Sequence, residues 1–113
     1  MKKSSQASLL PSVEAPLREL GQHLRAARQA RGWTIVETAA RVVVSPATYK
    51  RIEAGDPSVS MSAWANTLSQ LQLLSQLVAV AAPANDVLGE ALRASTTTQR
   101  VRKPKKLKDD YDF

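Results

Sequence analysis

Two helix start signals lie close together in residues 34–55 and constrain the fold more than any other feature of the chain. Thr34 is followed three residues later by Glu37, which is the pattern of a capping box. Ser45 directly precedes Pro46, so that an N-cap serine is followed by a proline suited to the first helical position. The segment therefore predicts two short helices joined by a tight turn.

The second of these predicted helices has one apolar side and one polar side. Tyr49 and Ile52 lie three residues apart and are expected to pack inward, next to the small residue Ala39 of the preceding short helix. The remaining side chains are short, hydroxylated or cationic, as a helix in the major groove of DNA requires. The predicted DNA contacts are Thr34, Ser45, Pro46, Ala47, Thr48, Lys50 and Arg51, with Thr34 and Ser45 acting first as caps.

An alternative interpretation of Lys50 and Arg51 is an ordinary solvated helix face. This interpretation is adequate for the two residues alone and less adequate for the whole motif.

A major-groove helix with few Gln, Asn and Arg side chains makes few direct base contacts. We therefore expect DNA shape to contribute to specificity.

The flanking sequence predicts further helices and no sheet. A first helix is expected to start near Pro16, with a stripe of leucines at spacings of three and four residues. A fourth helix is capped by Ser58 or Ser60, and a fifth covers about 73–81. Asn85 or Asp86 can cap a last, weak helix. The predicted fold class is all-α, a compact five-helix domain.

Three regions follow from these patterns. Residues 1–15 are expected to be a flexible arm, 16–94 a DNA-binding and dimerisation domain, and 95–113 a basic, largely disordered tail. The tail contains six basic and three acidic residues, which suit either phosphate contact or solubility. The β propensity of its threonines also allows a short strand formed with a partner.

Composition argues against several classes of protein. The net charge of +6 favours polyanionic partners, although half of this excess lies in the tail. The chain has no cysteine, an isolated His23 and no glycine-rich phosphate loop, so we expect no enzyme activity, metal site or cofactor. Its longest apolar run is far shorter than the roughly 20 residues of a membrane span. A cytoplasmic location is expected.

The sequence resembles the lambda-repressor-like, or Xre-type, helix-turn-helix family. The resemblance covers residues 17 to about 81 and rests on LRAARQARGWT and VSPATYKRIEAG. It implies that Arg28 of the first helix pairs with Glu53 at the end of the recognition helix. Two positions depart from the family pattern: Val43 replaces a glycine of the turn, and Ile35 replaces a glutamine that contacts DNA.

Within that family, the run GDPSVSMSAWANTLSQLQLLSQL is most similar to HipB-type antitoxins. This likeness implies a dimeric repressor that binds a palindromic operator and restrains a HipA-like serine/threonine kinase toxin. Two alternatives stay open. One is a free-standing, phage-like Xre-type regulator, and the other is a protein-interaction module that has lost DNA binding.

A homodimer is the expected assembly, because one recognition helix reads only a few base pairs. The leucines and valines after the fourth helix exceed what a small domain needs for its own core. The predicted dimer interface consists of Leu73, Leu74, Leu77, Val78 and Val80. The alternative is that all five belong to the internal core.

Overall fold

The computed structural model describes the backbone of residues 9–100 and the side chains of residues 9–96. All regular structure in this part of the chain is helical. The six α-helices are α1 (Pro11–Ala30), α2 (Ile35–Val42), α3 (Pro46–Glu53), α4 (Met61–Gln70), α5 (Leu74–Val78) and α6 (Val87–Arg100). Two 3-10 turns, Ala79–Ala81 and Pro83–Asn85, lie between α5 and α6. The predicted all-α class is confirmed.

The described part of the chain divides into two compact units, the first ending at Leu77 and the second beginning at Val78. The first unit has a single apolar core to which α1, α2, α3 and α4 all contribute. Its buried members are Leu24, Ala39, Tyr49, Ile52, Val59, Ala63, Trp64 and Leu71. Tyr49, which was predicted to pack inward, is 0% exposed, and Trp64 is 9% exposed. The core therefore fixes α3 through its apolar side and leaves the opposite side in solvent.

Helix α1 begins earlier than the sequence indicated. The expected start was near Pro16, but the helix starts at Pro11, so residues 11–15 of the predicted arm are helical. Pro11 occupies the first helical position, where its missing N–H costs nothing. Val13 and Leu17 lie four residues apart and are both half-buried, so the additional turn extends the apolar stripe. This packing offsets the loss in stability that arises because Pro16, inside the helix, cannot donate a backbone hydrogen bond.

The starts of the middle helices follow the predicted signals. Ser60, rather than Ser58, caps α4 by accepting a hydrogen bond from the backbone N–H of Ala63 at 3.2 Å. The predicted fifth helix is shorter than expected, because α5 ends at Val78 and continues as a 3-10 turn. No residue of α5 is fully buried, so little packing holds its last turn in α geometry.

The second unit consists of the 3-10 turns and α6. Asp86 caps α6, since its Oδ1 accepts a hydrogen bond from the backbone N–H of Gly89 at 3.0 Å. The helix continues to Arg100, so residues 95–100 of the predicted tail are helical. Once a capped helix has started, each added threonine costs only a few tenths of a kcal/mol in propensity. Residues 101–113 lie outside the described part of the chain, as do residues 1–8 of the arm.

Candidate nucleic-acid interface

Local hydrogen bonds position the N-termini of α2 and α3. Thr34 Oγ1 accepts from the N–H of Glu37 at 3.0 Å, and the N–H of Thr34 donates to Glu37 Oε1 at 2.8 Å. Ser45 Oγ accepts from the N–H of Thr48 at 3.1 Å. Both predicted caps are confirmed. Each helix therefore begins with exposed hydroxyl and amide groups of the kind that bind phosphate.

The outer side of α3 carries the residues predicted to contact DNA. Pro46, Ala47, Lys50 and Arg51 are all exposed, on the side of the helix opposite its buried apolar residues. Thr48 is half-buried, and its hydroxyl accepts a hydrogen bond from Ser45 Oγ at 3.0 Å. The structure thus places these residues together on one solvent-facing surface, which we call the α3 face. It consists of Pro46, Ala47, Thr48, Lys50 and Arg51.

The two cations of the α3 face have different surroundings. Arg51 Nε lies 3.0 Å from Asp56 Oδ2, and Arg51 Nη2 donates to Ser58 Oγ at 2.8 Å. Lys50 has no ion-pair partner within the described residues. Sequence reasoning assigned equivalent roles to the two residues. The structure shows one free ammonium group and one guanidinium held by the loop that follows α3.

Asp56 is itself held in place by that loop. Its Oδ1 accepts hydrogen bonds from the backbone N–H and the hydroxyl of Ser58, at 2.8 and 2.7 Å. These bonds, followed by the bond from Arg51, lower the pKa of the Asp56 carboxyl below its ordinary value. Asp56 is therefore charged at neutral pH and fixed relative to Arg51.

A buried ion pair joins α1 to the end of α3. Arg28 Nε donates to Glu53 Oε2 at 2.6 Å and Nη2 donates to Oε1 at 3.2 Å, while Nη1 donates to the carbonyl of Trp33 at 2.8 Å. The two side chains are 9% and 8% exposed. The hydrogen bonds to Glu53 raise the pKa of Arg28. This bidentate pair is the structural pair that the family resemblance implied, and it fixes the orientation of α3.

The ring of Tyr49 is fully buried beside this ion pair. Its hydroxyl makes no well-formed hydrogen bond to any described residue. Burial raises the pKa of the Tyr49 phenol, and the nearby Glu53 carboxylate raises it further. The ring therefore remains neutral and packs beneath the α3 face.

The two departures from the family pattern have clear structural positions. Ile35 is half-buried and packs against the core, so it replaces a polar contact with apolar packing. Val43 adopts the left-handed conformation, with φ of 67° and ψ of 45°, and ends α2. Its side chain is 83% exposed. The turn therefore keeps the positive φ that glycine normally supplies, in a β-branched residue for which this conformation is strained.

Gly21 is a structural residue that sequence reasoning missed. It is buried where α1 crosses the end of α3. A Cβ atom there would lie 2.8 Å from the carbonyl carbon of Glu53 and 2.9 Å from the N atom of Gly55. The signal in the sequence for this close contact is the position of Gly21 on the leucine stripe of α1, since an isolated glycine in a helix often marks close packing.

The predicted dimer residues are not equivalent in the structure. In the first unit, Leu73 packs against the core, Leu74 is 38% exposed, and Leu77 lines an apolar pocket of about 310 Å³. In the second unit, Val78 and Val80 are 78% and 72% exposed. The alternative that all five residues belong to the internal core therefore fits Leu73 and does not fit Val78 and Val80.

The pocket belongs entirely to the first unit. Its lining is apolar and consists of Leu17, Leu20, Pro57, Val59, Met61, Trp64, Leu68 and Leu77. Met61 is 71% exposed at this pocket. It follows Ser60 at the first position of α4, where a side chain lies at the edge of the packed layer.

Within the described residues, no three or more His, Cys, Asp or Glu side chains lie close enough together to hold a metal ion. His23 is exposed beside Glu19, with 3.8 Å between Nε2 and Oε2. No helix of this part of the chain is both long and apolar enough to cross a bilayer.

Comparison with protein families matches residues 19–80, more than half of the chain, to the helix-turn-helix domain family. The chain belongs to this helix-turn-helix family. The matched region contains most of α1, both short helices with the turn between them, and α4. Membership supports the Xre-like resemblance and identifies the protein as a DNA-binding regulator. Searches of curated proteins and of solved structures found no match.

Proposed function

We propose that this helix-turn-helix protein is a sequence-specific transcriptional repressor that binds a palindromic operator as a homodimer. The α3 face supports this proposal, because it is polar and exposed, while the opposite side of α3 is apolar and buried in the core. Ala47 permits close approach to the bases, Lys50 offers a free charge, and Arg51 can donate to a guanine edge or a phosphate. Thr34, Ser45 and Thr48 lie at the helix starts and are proposed to contact backbone phosphates.

Gel shift with the DNA upstream of the gene, at two salt concentrations, tests this proposal. Lys50→Ala combined with Arg51→Ala is expected to weaken binding at least 100-fold, because both cations of the α3 face are lost. The domain should remain folded by circular dichroism, since neither side chain contributes to the core.

The matched control is Arg18→Ala combined with Arg25→Ala. It removes the same two charges from exposed positions of α1. A much smaller loss of affinity is expected from this control. An unchanged shift for the Lys50 and Arg51 variant would refute the assigned face. Absence of any shift by the unmodified protein would favour the alternative of an interaction module without DNA binding.

We further propose that the protein is the antitoxin of a HipA-like serine/threonine kinase toxin and represses its own operon. The similarity of residues 55–77 to HipB-type antitoxins supports this finer assignment. Co-expression with the product of the adjacent gene tests it by co-purification. Failure to co-purify, together with operator binding, would leave a free-standing, phage-like Xre-type regulator as the function.

A further inference from the structure

The ion pair between Arg51 and Asp56 places a carboxylate on a surface that is proposed to bind polyanionic DNA. An isolated carboxylate in that position would repel phosphates, and Asp56 lies only three residues beyond the end of α3. Its charge is held 3.0 Å from Arg51 Nε. The pair is therefore locally neutral, and Lys50 is the cation of the α3 face without such a partner in the described residues.

The geometry of the pair also leaves part of the guanidinium available. Asp56 Oδ2 accepts a hydrogen bond from Arg51 Nε, and Ser58 Oγ accepts one from Nη2. Both hydrogens of Nη1 and the second hydrogen of Nη2 are not used in these bonds. Arg51 is 47% exposed as a side chain, and Asp56 is 29% exposed. The free edge can therefore reach a ligand while the opposite edge is fixed.

From this arrangement we propose that Asp56 and Ser58 are positioning residues that determine the DNA specificity of Arg51. This inference rests on the proposed repressor function. The pair holds the guanidinium in one orientation, so that Arg51 presents its free edge to a base. It also cancels the charge that would otherwise attach Arg51 to any phosphate. Lys50 then supplies sequence-independent affinity, and Arg51 supplies sequence discrimination.

Neutralisation by Asp56 has a measurable signature. Each net phosphate contact changes the slope of log K against log salt by about 0.9. Removal of the Asp56 charge should release Arg51 to bind phosphates. Asp56→Asn is therefore expected to bind a scrambled duplex about three- to tenfold more tightly at low salt, with a slope steeper by about one. The ratio of specific to non-specific affinity should fall about tenfold, as expected for loss of one oriented base contact.

The experiment uses the full chain and two duplexes. One is the sequence selected by the unmodified protein from a randomised pool, and the other is a scrambled duplex of the same composition. Binding of both is measured over a range of salt concentrations. Glu90→Gln is the matched control, because it removes the same charge from an exposed ion pair in which Arg93 Nη2 lies 3.1 Å from Glu90 Oε2. This control should change both affinities together and leave their ratio unaltered.

A second pair of variants separates positioning from folding. Ser58→Ala keeps the Asp56 charge and removes the hydroxyl that accepts from Arg51 Nη2 and donates to Asp56 Oδ1, so it should reduce specificity without changing the salt slope. On an Arg51→Ala background, Asp56→Asn should no longer lower the specificity ratio, because its effect acts through Arg51. A ratio that falls equally on both backgrounds would indicate a purely structural role and overturn the inference.

The outcomes also distinguish this inference from the function on which it rests. If the unmodified protein selects no sequence and binds both duplexes equally, the repressor function fails and the inference fails with it. If it selects a sequence but Asp56→Asn behaves like Glu90→Gln, the function stands and only the role of Asp56 is refuted.

Discussion

At the scale of single residues, Val43 shows how a departure from the family pattern is accommodated. Its exposed side chain contacts little, while its backbone occupies a conformation that costs a β-branched residue about 1–3 kcal/mol. The buried Thr38, Ala39 and Val42 hold α2 in place, so packing maintains the strained turn. Strain at this position reduces stability without changing the path of the chain.

Val43→Gly is therefore expected to stabilise the protein by about 1 kcal/mol. Glycine removes the strain, and the gain exceeds the added entropy of the unfolded chain. Urea unfolding followed by tryptophan fluorescence measures this difference. Val43→Ala is the control and should change stability by much less, because alanine still has a Cβ in the left-handed region. A lower unfolding midpoint for the glycine variant would contradict the strain at this turn.

At the scale of elements, α1 and the end of α3 meet through backbone rather than side chains. Gly21 of α1 lies against Glu53 and Gly55, and a Cβ on Gly55 would meet the backbone of Leu17 and Arg18 within 2.7 Å. Gly55 also has a φ of 78°, which glycine adopts without cost. The close approach brings Arg28 and Glu53 into bidentate contact. Small residues at this crossing are thus required for the orientation of α3.

Gly21→Ala is expected to destabilise the first unit by about 2–3 kcal/mol, as for overpacking of a close contact. The backbone atoms that a methyl group would meet have no rotamer by which to move aside. Thermal unfolding measures the loss. The control is Gln22→Ala, an exposed change in the same helix, which should stay within about 0.5 kcal/mol of the parent. Equal melting temperatures for the two variants would show that the crossing tolerates a side chain.

The elements also show which parts of the fold the sequence could predict. Thr34, Glu37 and Ser45 were identifiable as caps because each signal is complete within four residues. The extension of α1 to Pro11 was missed, since tertiary packing overrides the proline preference. The extension of α6 to Arg100 was missed because a helix, once capped, continues through residues of modest propensity.

The site was predictable to a similar extent. The outer position of Lys50 and Arg51 followed from the spacing of Tyr49 and Ile52. The different surroundings of the two cations could not be predicted from this spacing, because Asp56 contacts Arg51 only as a result of the path taken by the loop after α3. The close contact at Gly21 likewise depends on how two helices cross. Neither property is encoded in a local pattern.

At the scale of the whole molecule, the proposed homodimer depends on apolar surface in both units. The pocket of the first unit and the exposed Val78 and Val80 of the second provide such surface. Two linked recognition helices contact two half-sites, so dimer formation sets operator affinity. The monomer alone would bind DNA weakly and with strong salt dependence.

Val78→Glu combined with Val80→Glu is expected to convert a dimer into a monomer at micromolar concentration. Charges buried at an interface without partners weaken association at least 100-fold. Sedimentation equilibrium gives the molecular mass. Val36→Glu is the control, because Val36 is 65% exposed on α2 and is not one of the predicted interface residues, so this variant should remain dimeric. A monomeric parent protein at this concentration would rule out the proposed assembly.

The contact between Arg51 and Asp56 has a consequence for how this protein could diverge or be redesigned. The two residues belong to different elements, and neither contributes to the core. A change of operator preference at Arg51 would leave Asp56 as an uncompensated negative charge beside DNA. Positions 51 and 56 should therefore covary among relatives, and a library built to retarget the protein should randomise both positions together.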